Sequence, residues 1–344
     1  MKSMQLTGIR KMALMDIQKP DIHLDTDVLI RMQAVGICGS DVHYYVSGKI
    51  GSQVVQYPFP VGHEGAGIVE ETGSAVSGFR AGDRIAIDPA MPCGECDQCR
   101  GGRPHTCRNL RFLGCPGQAD GCLSEYIVMP QRSCLPIPDR LSFEEATISE
   151  PLAIGLYAVQ MAGDIKGKNV AVLGSGPIGL SVAAGLKLAG ARHIYITDKI
   201  DARLSIALAS GADVACNILR NDIVGCVKKD TPQMLDLVFE CCGQQEALEQ
   251  AIHLLQPGGQ LLIIGIPEFS HFSFPVDELR HKEITIRNVR RQNGCDKKAI
   301  KLLANGSVKA AHWITHRFGL ETCPSAFDLV AGYRDGVMKA MIHF

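Results

Sequence analysis

Four cysteines follow one another with the spacing C-x2-C-x2-C-x7-C, within a chain that has 14 cysteines in all. Short spacing with glycines between the cysteines lets four thiolates surround one ion tetrahedrally, as in a closed structural zinc site. A ferredoxin-like iron–sulfur cluster and a pair of disulfides are the competing interpretations. We favour zinc, because the cysteines form one compact lobe without a second cysteine group. These four residues are Cys93, Cys96, Cys99 and Cys107.

A second group of metal-binding residue types lies in two glycine-rich segments nearer the N-terminus. Cys38 offers a thiol, His63 an imidazole and Glu64 a carboxylate. Three protein ligands with one position left for water are what a catalytic zinc requires. Each residue alone also has an ordinary structural interpretation: a packed cysteine, a core or surface histidine, and a capping or solvated acid.

A glycine-rich turn predicts a dinucleotide site. Gly174, Gly176 and Gly179 form the pattern G-x-G-x-x-G between a buried strand and a helix, with Pro177 and Ile178 inside it. The first glycine allows a tight turn, the second lets a pyrophosphate approach the backbone, and the third lets the helix pack closely on the strand. The helix N-terminus then faces the phosphates. An ordinary turn between a strand and a helix is the alternative.

An acidic residue supports the cofactor interpretation. Asp198 lies 19 residues after Gly179, at the end of the next apolar strand, where a carboxylate can accept hydrogen bonds from the adenosine ribose. A helix N-cap or a surface loop residue is the alternative. Because Asp198 would repel a 2'-phosphate, we expect NAD rather than NADP, although the nearby cations Lys199 and Arg203 weaken that preference.

Two different rhythms of secondary structure must position these residues. The N-terminal part has short β-branched runs separated by glycine and proline, at residues 28–33, 67–71, 84–87 and 123–128. From about Glu150 strands and helices alternate. We predict strands at 169–174, 193–197, 235–240 and 260–264, with helices at 177–189, 201–209 and 246–255. Such alternation predicts a parallel sheet with helices on both faces.

We therefore predict an α/β protein with two domains. An irregular, mostly-β catalytic domain that binds zinc covers residues 1–149 and 286–344, and a doubly wound parallel-sheet (Rossmann) domain that binds NAD covers 150–285. Near the C-terminus we predict helices at 297–304 and 326–333, and a final strand, Lys339–His343, that returns to the first domain. The apolar stretch 259–266 is either a sheet edge or a core strand.

Composition excludes several other classes of protein. The chain has 344 residues, 46% of them hydrophobic, which is enough for about two domains and argues against disorder. Its net charge of −1 argues against nucleic acid as a partner. The apolar stretch 170–186 is interrupted by Gly174, Gly176, Pro177 and Gly179, so we expect no membrane span. No secretory signal is expected at the N-terminus either, so we predict a cytoplasmic protein.

Taken together, these motifs resemble the zinc-dependent medium-chain alcohol dehydrogenases over essentially the whole chain. The resemblance is carried by residues 62–67 (GHEGAG), the cysteine quartet, the turn 174–179 and the late segment 315–318 (THRF). Residues 36–45, 149–152 (SEPL) and 197–204 look most like the sorbitol, xylitol and related polyol dehydrogenases. A GroES-like fold for the catalytic domain follows from this resemblance.

The resemblance implies a role for each residue around the metal. Cys38, His63 and Glu64 would form the catalytic zinc set, with Glu150 either on the metal or bound to its water, so the acid that contacts zinc stays open. With the quartet this makes two zinc ions per chain. Asp41 would orient the His63 imidazole.

The same resemblance implies a proton relay and a substrate pocket. Ser40 would accept the proton of the substrate hydroxyl, and cofactor hydroxyls would pass it to His43 near solvent. Tyr44 and Phe112 would line the pocket, and Arg290 would hold a substrate hydroxyl or the zinc water. Polyol dehydrogenases often have an aromatic residue after that arginine, whereas this chain has Arg291.

These expectations point to one reaction and several alternatives. We predict an NAD-dependent zinc polyol dehydrogenase that oxidises a secondary hydroxyl of a sorbitol-, xylitol- or iditol-like substrate to a ketose. L-threonine 3-dehydrogenase and butanediol-type secondary-alcohol dehydrogenases are the alternatives, and a non-catalytic protein that binds zinc and nucleotide is a remote one. The resemblance further implies a homo-oligomer, either a tetramer or a dimer.

Overall fold

Two separate stretches of the chain, Met1–Glu150 and Asp296–Phe344, form one unit, and the residues between them, Pro151–Cys295, form the other. The structure is a computed structural model that describes residues 1–344. Each unit has its own sheet and its own hydrophobic core.

The strands alternate with helices mainly in the second half of the chain. The strands are β1 (Lys2–Gly8), β2 (Lys11–Asp16), β3 (Asp27–Gly36), β4 (Lys49–Ile50), β5 (Gln53–Val54), β6 (Glu64–Thr72), β7 (Arg84–Ile87), β8 (Ala90–Met91), β9 (Arg111–Phe112), β10 (Tyr126–Pro130), β11 (Cys134–Pro136), β12 (Asn169–Leu173), β13 (His193–Asp198), β14 (Val214–Asn217), β15 (Leu235–Glu240), β16 (Leu255–Ile263), β17 (Thr285–Asn288), β18 (Ile314–Gly319) and β19 (Lys339–His343). The α-helices are α1 (Gly39–Ser47), α2 (Asp97–Arg100), α3 (Phe143–Thr147), α4 (Ser149–Met161), α5 (Pro177–Leu188), α6 (Asp201–Ala209), α7 (Ile223–Asp230), α8 (Gln245–Leu254), α9 (Val276–Lys282), α10 (Asp296–Ala304) and α11 (Cys323–Ala331). Short 3-10 helices lie at Pro104–Thr106, Gln131–Ser133, Ala311–Trp313, Leu320–Thr322 and Arg334–Gly336.

The first unit is built on a seven-stranded sheet in the order β11-β7-β6-β3-β19-β18, with β10 also paired to β3. Most pairs are antiparallel, and β18 with β19 is parallel. The last strand pairs with β3, with Met341 opposite Gly36, which confirms that the C-terminal strand returns to the first domain. The buried side chains of β3, such as Ile30, Met32 and Val35, lie in the core of this unit.

The second unit is a six-stranded parallel sheet in the order β14-β13-β12-β15-β16-β17. Its central strand β12 is buried from Val170 to Leu173, because helices cover both faces of such a sheet. The order of the strands reverses at β12, and ligands of open parallel sheets bind at such a switch point, beyond the carboxyl ends of the strands. The predicted fold class, a β-rich domain joined to a doubly wound parallel sheet, is confirmed.

Several elements of the second unit had no sequence prediction. Strand β14 is short and lies at the sheet edge, so it lacks the long apolar run that marks an inner strand. Helix α7 has a recognisable start, since the Asp222 carboxylate accepts the backbone N–H groups of Val224 and Gly225. The stretch 259–266 runs through the inner strand β16, so its interpretation as a sheet edge was wrong. None of the helices is both long and apolar enough to cross a bilayer.

Candidate active site and cofactor turn

The four cysteines of the predicted structural site lie together around a single point. Their Sγ–Sγ separations are 3.4 Å for Cys93–Cys107, 3.6 Å for Cys96–Cys99, 3.8 Å for Cys96–Cys107 and 4.0 Å for Cys93–Cys99. A tetrahedral ion with metal–sulfur bonds of about 2.3 Å places its sulfurs about 3.8 Å apart, whereas a disulfide requires about 2.05 Å. The donor set therefore fits one zinc ion rather than two disulfides, and leaves no room for a multi-iron cluster.

A bidentate ion pair braces this cysteine lobe. The Arg108 guanidinium donates to both carboxylate oxygens of Asp97, which begins the short helix α2 between the second and third cysteines. Two parallel charge-assisted hydrogen bonds fix an orientation as well as a distance. The loop that carries Cys107 is thereby tied to the helix that carries Cys99.

The start of helix α1 collects five of the predicted site residues in the first unit. Cys38 is the extended N-cap residue, and Ser40, Asp41, His43 and Tyr44 follow within the helix. The Cys38 backbone N–H donates to the Asp41 carboxylate at 3.1 Å. This N-terminal hydrogen bond fixes the direction in which the chain enters the helix.

The Asp41 carboxylate also reaches the predicted metal-binding histidine. Its Oδ1 lies 3.3 Å from Nδ1 of His63 and accepts the Gly62 backbone N–H at 3.1 Å. Gly62 has φ of +98°, a conformation that favours glycine. Since Nδ1 faces Asp41, the opposite nitrogen Nε2 is left for a metal.

The thiol of Cys38, the imidazole of His63 and the carboxylate of Glu64 form one cluster, with their ligand atoms all within 4.8 Å of one another. Burial acts to lower the pKa of His63, but the nearby charges of Asp41 and Cys38 raise it well above its ordinary value. The same negative surroundings favour a divalent cation between these side chains. The donor set therefore fits a zinc ion.

Glu64 has a partner that the sequence did not reveal. The ammonium group of Lys339, in the C-terminal strand β19, donates to both Glu64 oxygens at 2.8 and 2.7 Å and to the Ile37 carbonyl at 3.1 Å. Opposite Glu64 in the sheet lies Gly36, where any Cβ would overlap the carboxylate. The only sequence signal for Lys339 was a charged residue at the start of a predicted strand whose next three residues are apolar.

Glu150, the other candidate acid, lies in the same electrostatic environment but has an unsatisfied atom. Its Oε2 is buried without a hydrogen-bond partner. Burial and the negative charge of Glu64 raise the pKa of Glu150 to about 7, although the charge of His63 acts in the opposite direction. It is not part of the cluster of Cys38, His63 and Glu64. A buried carboxylate oxygen without a partner is costly unless a metal, a water or a ligand satisfies it.

Three of the predicted relay and pocket residues lie on helix α1, which begins after Cys38, and the fourth, Phe112, lies against His63. Ser40 and His43 are three residues apart on α1, so they share one face of the helix. Tyr44 is buried, and its hydroxyl donates to Gln53 Oε1 at 3.1 Å and lies 3.7 Å from Cys115 Sγ. The Phe112 ring is tilted against the His63 ring, with centroids 5.4 Å apart.

In the second unit the glycine-rich turn joins β12 to α5. Gly174 has φ of +100°, and a Cβ at Gly179 would overlap the Gly174 carbonyl oxygen. At Gly176, the N-cap residue of α5, the nearest atom to an added Cβ would be Arg203 Nη1 at 3.9 Å. Gly174 and Gly179 are therefore required by the turn and by its packing. Gly176 instead leaves the backbone accessible at a helix N-terminus, which suits a phosphate group.

The Asp198 carboxylate is held at this turn by backbone groups. Its Oδ2 accepts the Ser175 N–H at 2.9 Å, and its Oδ1 accepts the N–H groups of Lys199 and Ile200 at 2.8 and 3.0 Å. Arg203 is buried in α6, where its carbonyl accepts the Ser175 hydroxyl. Arg290 is exposed just after β17, and Arg291 follows it with φ of +53°.

Comparison with known proteins identifies the family. Residues 24–139 match the family model "Alcohol dehydrogenase GroES-like domain", and residues 177–305 match "Zinc-binding dehydrogenase". Over all 344 residues the chain is 36% identical to a sorbitol dehydrogenase of Bacillus subtilis, covering 97% of that protein. The chain belongs to the zinc-dependent medium-chain alcohol dehydrogenases, in the polyol dehydrogenase branch.

Other members of this branch are similar over nearly their full length. An L-idonate 5-dehydrogenase of Vitis vinifera is 33% identical over 91% of this chain and 86% of its own. The solved structure of an Escherichia coli L-idonate 5-dehydrogenase superimposes with a TM-score of 0.92 at 28% identity, covering 100% of this chain and 98% of that one.

Two further solved structures that are similar to this chain contain nicotinamide cofactors. A zinc-binding dehydrogenase of Sinorhizobium meliloti bound to NADP has a TM-score of 0.91 at 29% identity and covers 100% of this chain and 99% of its own. An alcohol dehydrogenase of Escherichia coli CFT073 complexed with NADH has a TM-score of 0.90 at 28% identity, with the same coverage. As a member of this family, the chain is an oxidoreductase, a zinc- and NAD-dependent alcohol dehydrogenase.

Proposed function

We propose that this dehydrogenase oxidises a secondary hydroxyl of a polyol, such as sorbitol, xylitol or iditol, to give a ketose, with NAD as the oxidant. The observation that carries the proposal is the cluster of one thiol, one imidazole and one carboxylate, with the unpartnered Glu150 oxygen in the same buried environment. A metal site with a single thiolate ligand suits a polyol, because such a substrate can offer a second hydroxyl group to the metal or to its water. The names of the similar proteins, sorbitol dehydrogenase and L-idonate 5-dehydrogenase, support the same class of substrate.

The metal-binding residues would divide between two ions. Cys38, His63 and Glu64 would hold the catalytic zinc, with Glu150 in reach of the same charges, and the quartet of Cys93, Cys96, Cys99 and Cys107 would hold the structural one. When bound, zinc supplies a Lewis acid that makes a substrate hydroxyl more acidic, and NAD supplies a hydride acceptor.

The residues on α1 would handle the substrate proton. Ser40 takes the proton of the substrate hydroxyl, and His43, one turn further along the same face, carries it toward solvent. Asp41 holds His63 in one orientation. Tyr44, fixed by its hydrogen bond to Gln53, lines the substrate side together with Phe112, and Arg290 is the substrate-binding residue that we assign to the second unit.

The second unit would bind the cofactor. The absence of a side chain at Gly176 lets the pyrophosphate come close to the backbone. Asp198, which is held by three backbone N–H groups, accepts hydrogen bonds from the adenosine ribose. Because a fixed carboxylate repels a 2'-phosphate, NAD is preferred over NADP. Pro177, Ile178, Lys199 and Arg203 complete the set around the turn.

Three broader properties belong to the same proposal. The unit formed by Met1–Glu150 and Asp296–Phe344 would be the catalytic domain, and the unit Pro151–Cys295 would be the NAD-binding domain. The second boundary lies near residue 295 rather than at the predicted 285, because β17 pairs with β16 in the parallel sheet. The enzyme works in the cytoplasm, where its free thiols stay reduced. It assembles as a homotetramer or homodimer, which light scattering on the purified protein measures.

The proposal is tested by NADH formation with purified enzyme and a panel of substrates: sorbitol, xylitol, iditol, the butanediols, L-threonine and simple alcohols. Each is run with NAD and with NADP, before and after treatment with a chelator. We expect turnover of a polyol with NAD that the chelator abolishes and that added zinc restores.

Two other outcomes would replace the proposal. A strong preference for a butanediol favours the second candidate, which the likeness to a Bacillus subtilis 2R,3R-butanediol dehydrogenase supports (TM-score 0.89, 27% identity, covering 100% of this chain and 99% of that one). A preference for L-threonine contradicts the polyol assignment in the same way.

A further inference from the structure

The loop that follows strand β13 fixes the carboxylate on which the choice of cofactor depends. Two of the three N–H groups bound to Asp198 belong to Lys199 and Ile200, which connect β13 to helix α6. If these two residues move, the Asp198 carboxylate loses two of its three hydrogen bonds. The position of Asp198 therefore depends on whatever holds that loop.

The loop has little support of its own. Lys199 is exposed, and the α6 N-cap residue, Ile200, has no polar side chain with which to cap the helix. A helix start without a side-chain cap leaves backbone N–H groups unsatisfied and the entering chain loosely held.

The side chain of Asn217, at the end of β14, supplies the missing support. Its Nδ2 donates to the Lys199 carbonyl at 3.2 Å and to Oδ1 of Asp201, the first residue of α6, at 2.6 Å. Its Oδ1 accepts the Leu219 N–H at 3.0 Å. Asn217 is only 6% exposed and lies opposite Asp198 in the parallel pairing of β14 with β13.

The neighbouring ion pair of Asp201 with Arg220 is a weaker support for the loop than Asn217. Arg220 pairs with the second oxygen of Asp201 at 2.8 Å, but both side chains are more than half exposed, and exposed ion pairs contribute little. The Asn217 hydrogen bond is also the largest cause that holds the pKa of Asp201 below its ordinary value. The Lys199 carbonyl accepts a hydrogen bond from Asn217, and Arg220 reaches only Asp201.

We propose that Asn217 is a positioning residue for cofactor choice: it holds the loop from Lys199 to Asp201, and through it the Asp198 carboxylate, in the place where that carboxylate accepts the ribose and repels a 2'-phosphate. This inference rests on the proposed preference for NAD. It assigns Asn217 no contact with the cofactor.

The test compares NADH and NADPH dissociation constants, read from nicotinamide fluorescence without substrate, for wild type, Asn217→Ala, Asn217→Asp and Arg220→Gln. Losing hydrogen bonds of ordinary strength should weaken NADH binding about five- to tenfold in Asn217→Ala and reduce the NADH preference by a similar factor. Asn217→Asp has the same shape but places a carboxylate against Asp201, so its loss should be larger. Arg220→Gln should keep the wild-type preference within about twofold.

Unfolding midpoints of the same variants separate positioning from plain stability. An Asn217→Ala enzyme with a lowered midpoint but an unchanged ratio of the two dissociation constants would overturn the inference and leave the proposed function standing. A wild-type enzyme that binds NADPH as tightly as NADH would contradict the proposed cofactor preference, and the role of Asn217 with it.

Discussion

The Lys339 ammonium lies 2.8 and 2.7 Å from the two carboxylate oxygens of Glu64, and both side chains are only 1% exposed. Removing two charges from water costs several kcal/mol for each, so a fully buried pair is weak evidence for stability by itself. Here the pair connects the C-terminal strand to one of the candidate zinc ligands. Lys339 therefore compensates the negative charge that gathers at the cluster of Cys38, His63 and Glu64.

Replacing Lys339 should lower the free energy of unfolding, because the Glu64 carboxylate would then be buried without its cation. Lys339→Met leaves Glu64 buried without a cation, and we expect the metal-free protein to lose about 3–5 kcal/mol of unfolding free energy. Urea unfolding with and without added zinc measures this, and zinc should recover part of the loss because it supplies positive charge at the same place.

Two variants serve as controls for the loss of charge. Lys339→Arg keeps the cation, so it should lose less than Lys339→Met. The double variant Lys339→Met/Glu64→Gln removes both charges and should be more stable than Lys339→Met alone. A double variant as unstable as the sum of the two single changes would show that packing, not charge, gives Lys339 its importance.

The quartet was predicted as a set of metal ligands from its local spacing. Cys38, His63 and Glu64 were predicted from their residue types in two glycine-rich segments, together with the family resemblance. Lys339 was not predicted, because its partner lies 275 residues away in the chain and no local pattern relates the two. The same limit applies to Asn217, whose hydrogen bonds to Lys199 and Asp201 become visible only when β14 is placed beside β13. Residues that act through contacts with distant parts of the chain cannot be recognised from a local sequence pattern.

The two candidate zinc sites should be separable by single cysteine changes. We expect wild type to hold two zinc ions per chain, and Cys38→Ala and Cys107→Ala to hold one each. Cys38→Ala should form no NADH above background while its thermal unfolding changes little. Cys107→Ala should unfold at a clearly lower temperature, because a closed structural site contributes its binding energy to folding.

Zinc analysis by atomic emission and thermal unfolding provide the measurements. Cys226→Ala, a half-buried cysteine outside both groups, is the matched control and should keep two zinc ions and full activity. A Cys38→Ala protein that retains two zinc ions would remove Cys38 from the proposed ligand set.

The glycine turn offers a matched pair of substitutions. Gly176→Ala should fit, because the nearest atom to its new Cβ is 3.9 Å away and its φ of −74° suits alanine. We expect unfolding free energy to change by no more than about 0.5 kcal/mol, while NADH affinity falls about tenfold, or ~1.4 kcal/mol, because the methyl group obstructs the pyrophosphate.

In contrast to Gly176→Ala, Gly179→Ala should clearly reduce the free energy of unfolding. Its Cβ overlaps the Gly174 carbonyl oxygen, so the turn or the helix must shift, at a cost of about 1–3 kcal/mol in unfolding free energy. Chemical unfolding and NADH fluorescence titration on both variants measure the two effects. Equal stability losses in the two proteins would contradict this division of roles between the glycines.

The regular elements of the second unit were easier to predict from sequence than those of the first. Helix α6 and strand β15 agree with their predicted bounds, because a buried strand is a continuous apolar run and an amphipathic helix has a clear hydrophobic period. In the first unit β10 begins at Tyr126 rather than at residue 123, and the two-residue strands were not predicted. Short strands fixed by neighbouring loops carry too few residues to show a period.

The first unit also contains a tyrosine whose ionisation should limit stability in alkaline solution. The Tyr45 hydroxyl donates to the Asp328 carboxylate at 2.9 Å, and its oxygen also lies 3.2 Å from the Arg10 carbonyl oxygen, so it connects α1, α11 and the β1–β2 hairpin. Burial, together with the hydrogen bond to Asp328, raises the pKa of Tyr45 from 10.0 to about 12. The folded protein therefore holds this proton more tightly than the unfolded chain.

The direction of the pH effect follows from that difference. The contribution of Tyr45 is complete below pH 10.0, and it is lost as the pH rises toward 12, because the unfolded chain releases the proton first. Tyr45→Phe should be about 1 kcal/mol less stable at neutral pH, since it loses the hydrogen bond to Asp328, and the difference from wild type should shrink across the alkaline window. Urea unfolding of both proteins from pH 8 to about 12 measures it, and a difference that stays constant over that range would show that Tyr45 ionises equally easily in the folded and unfolded chains.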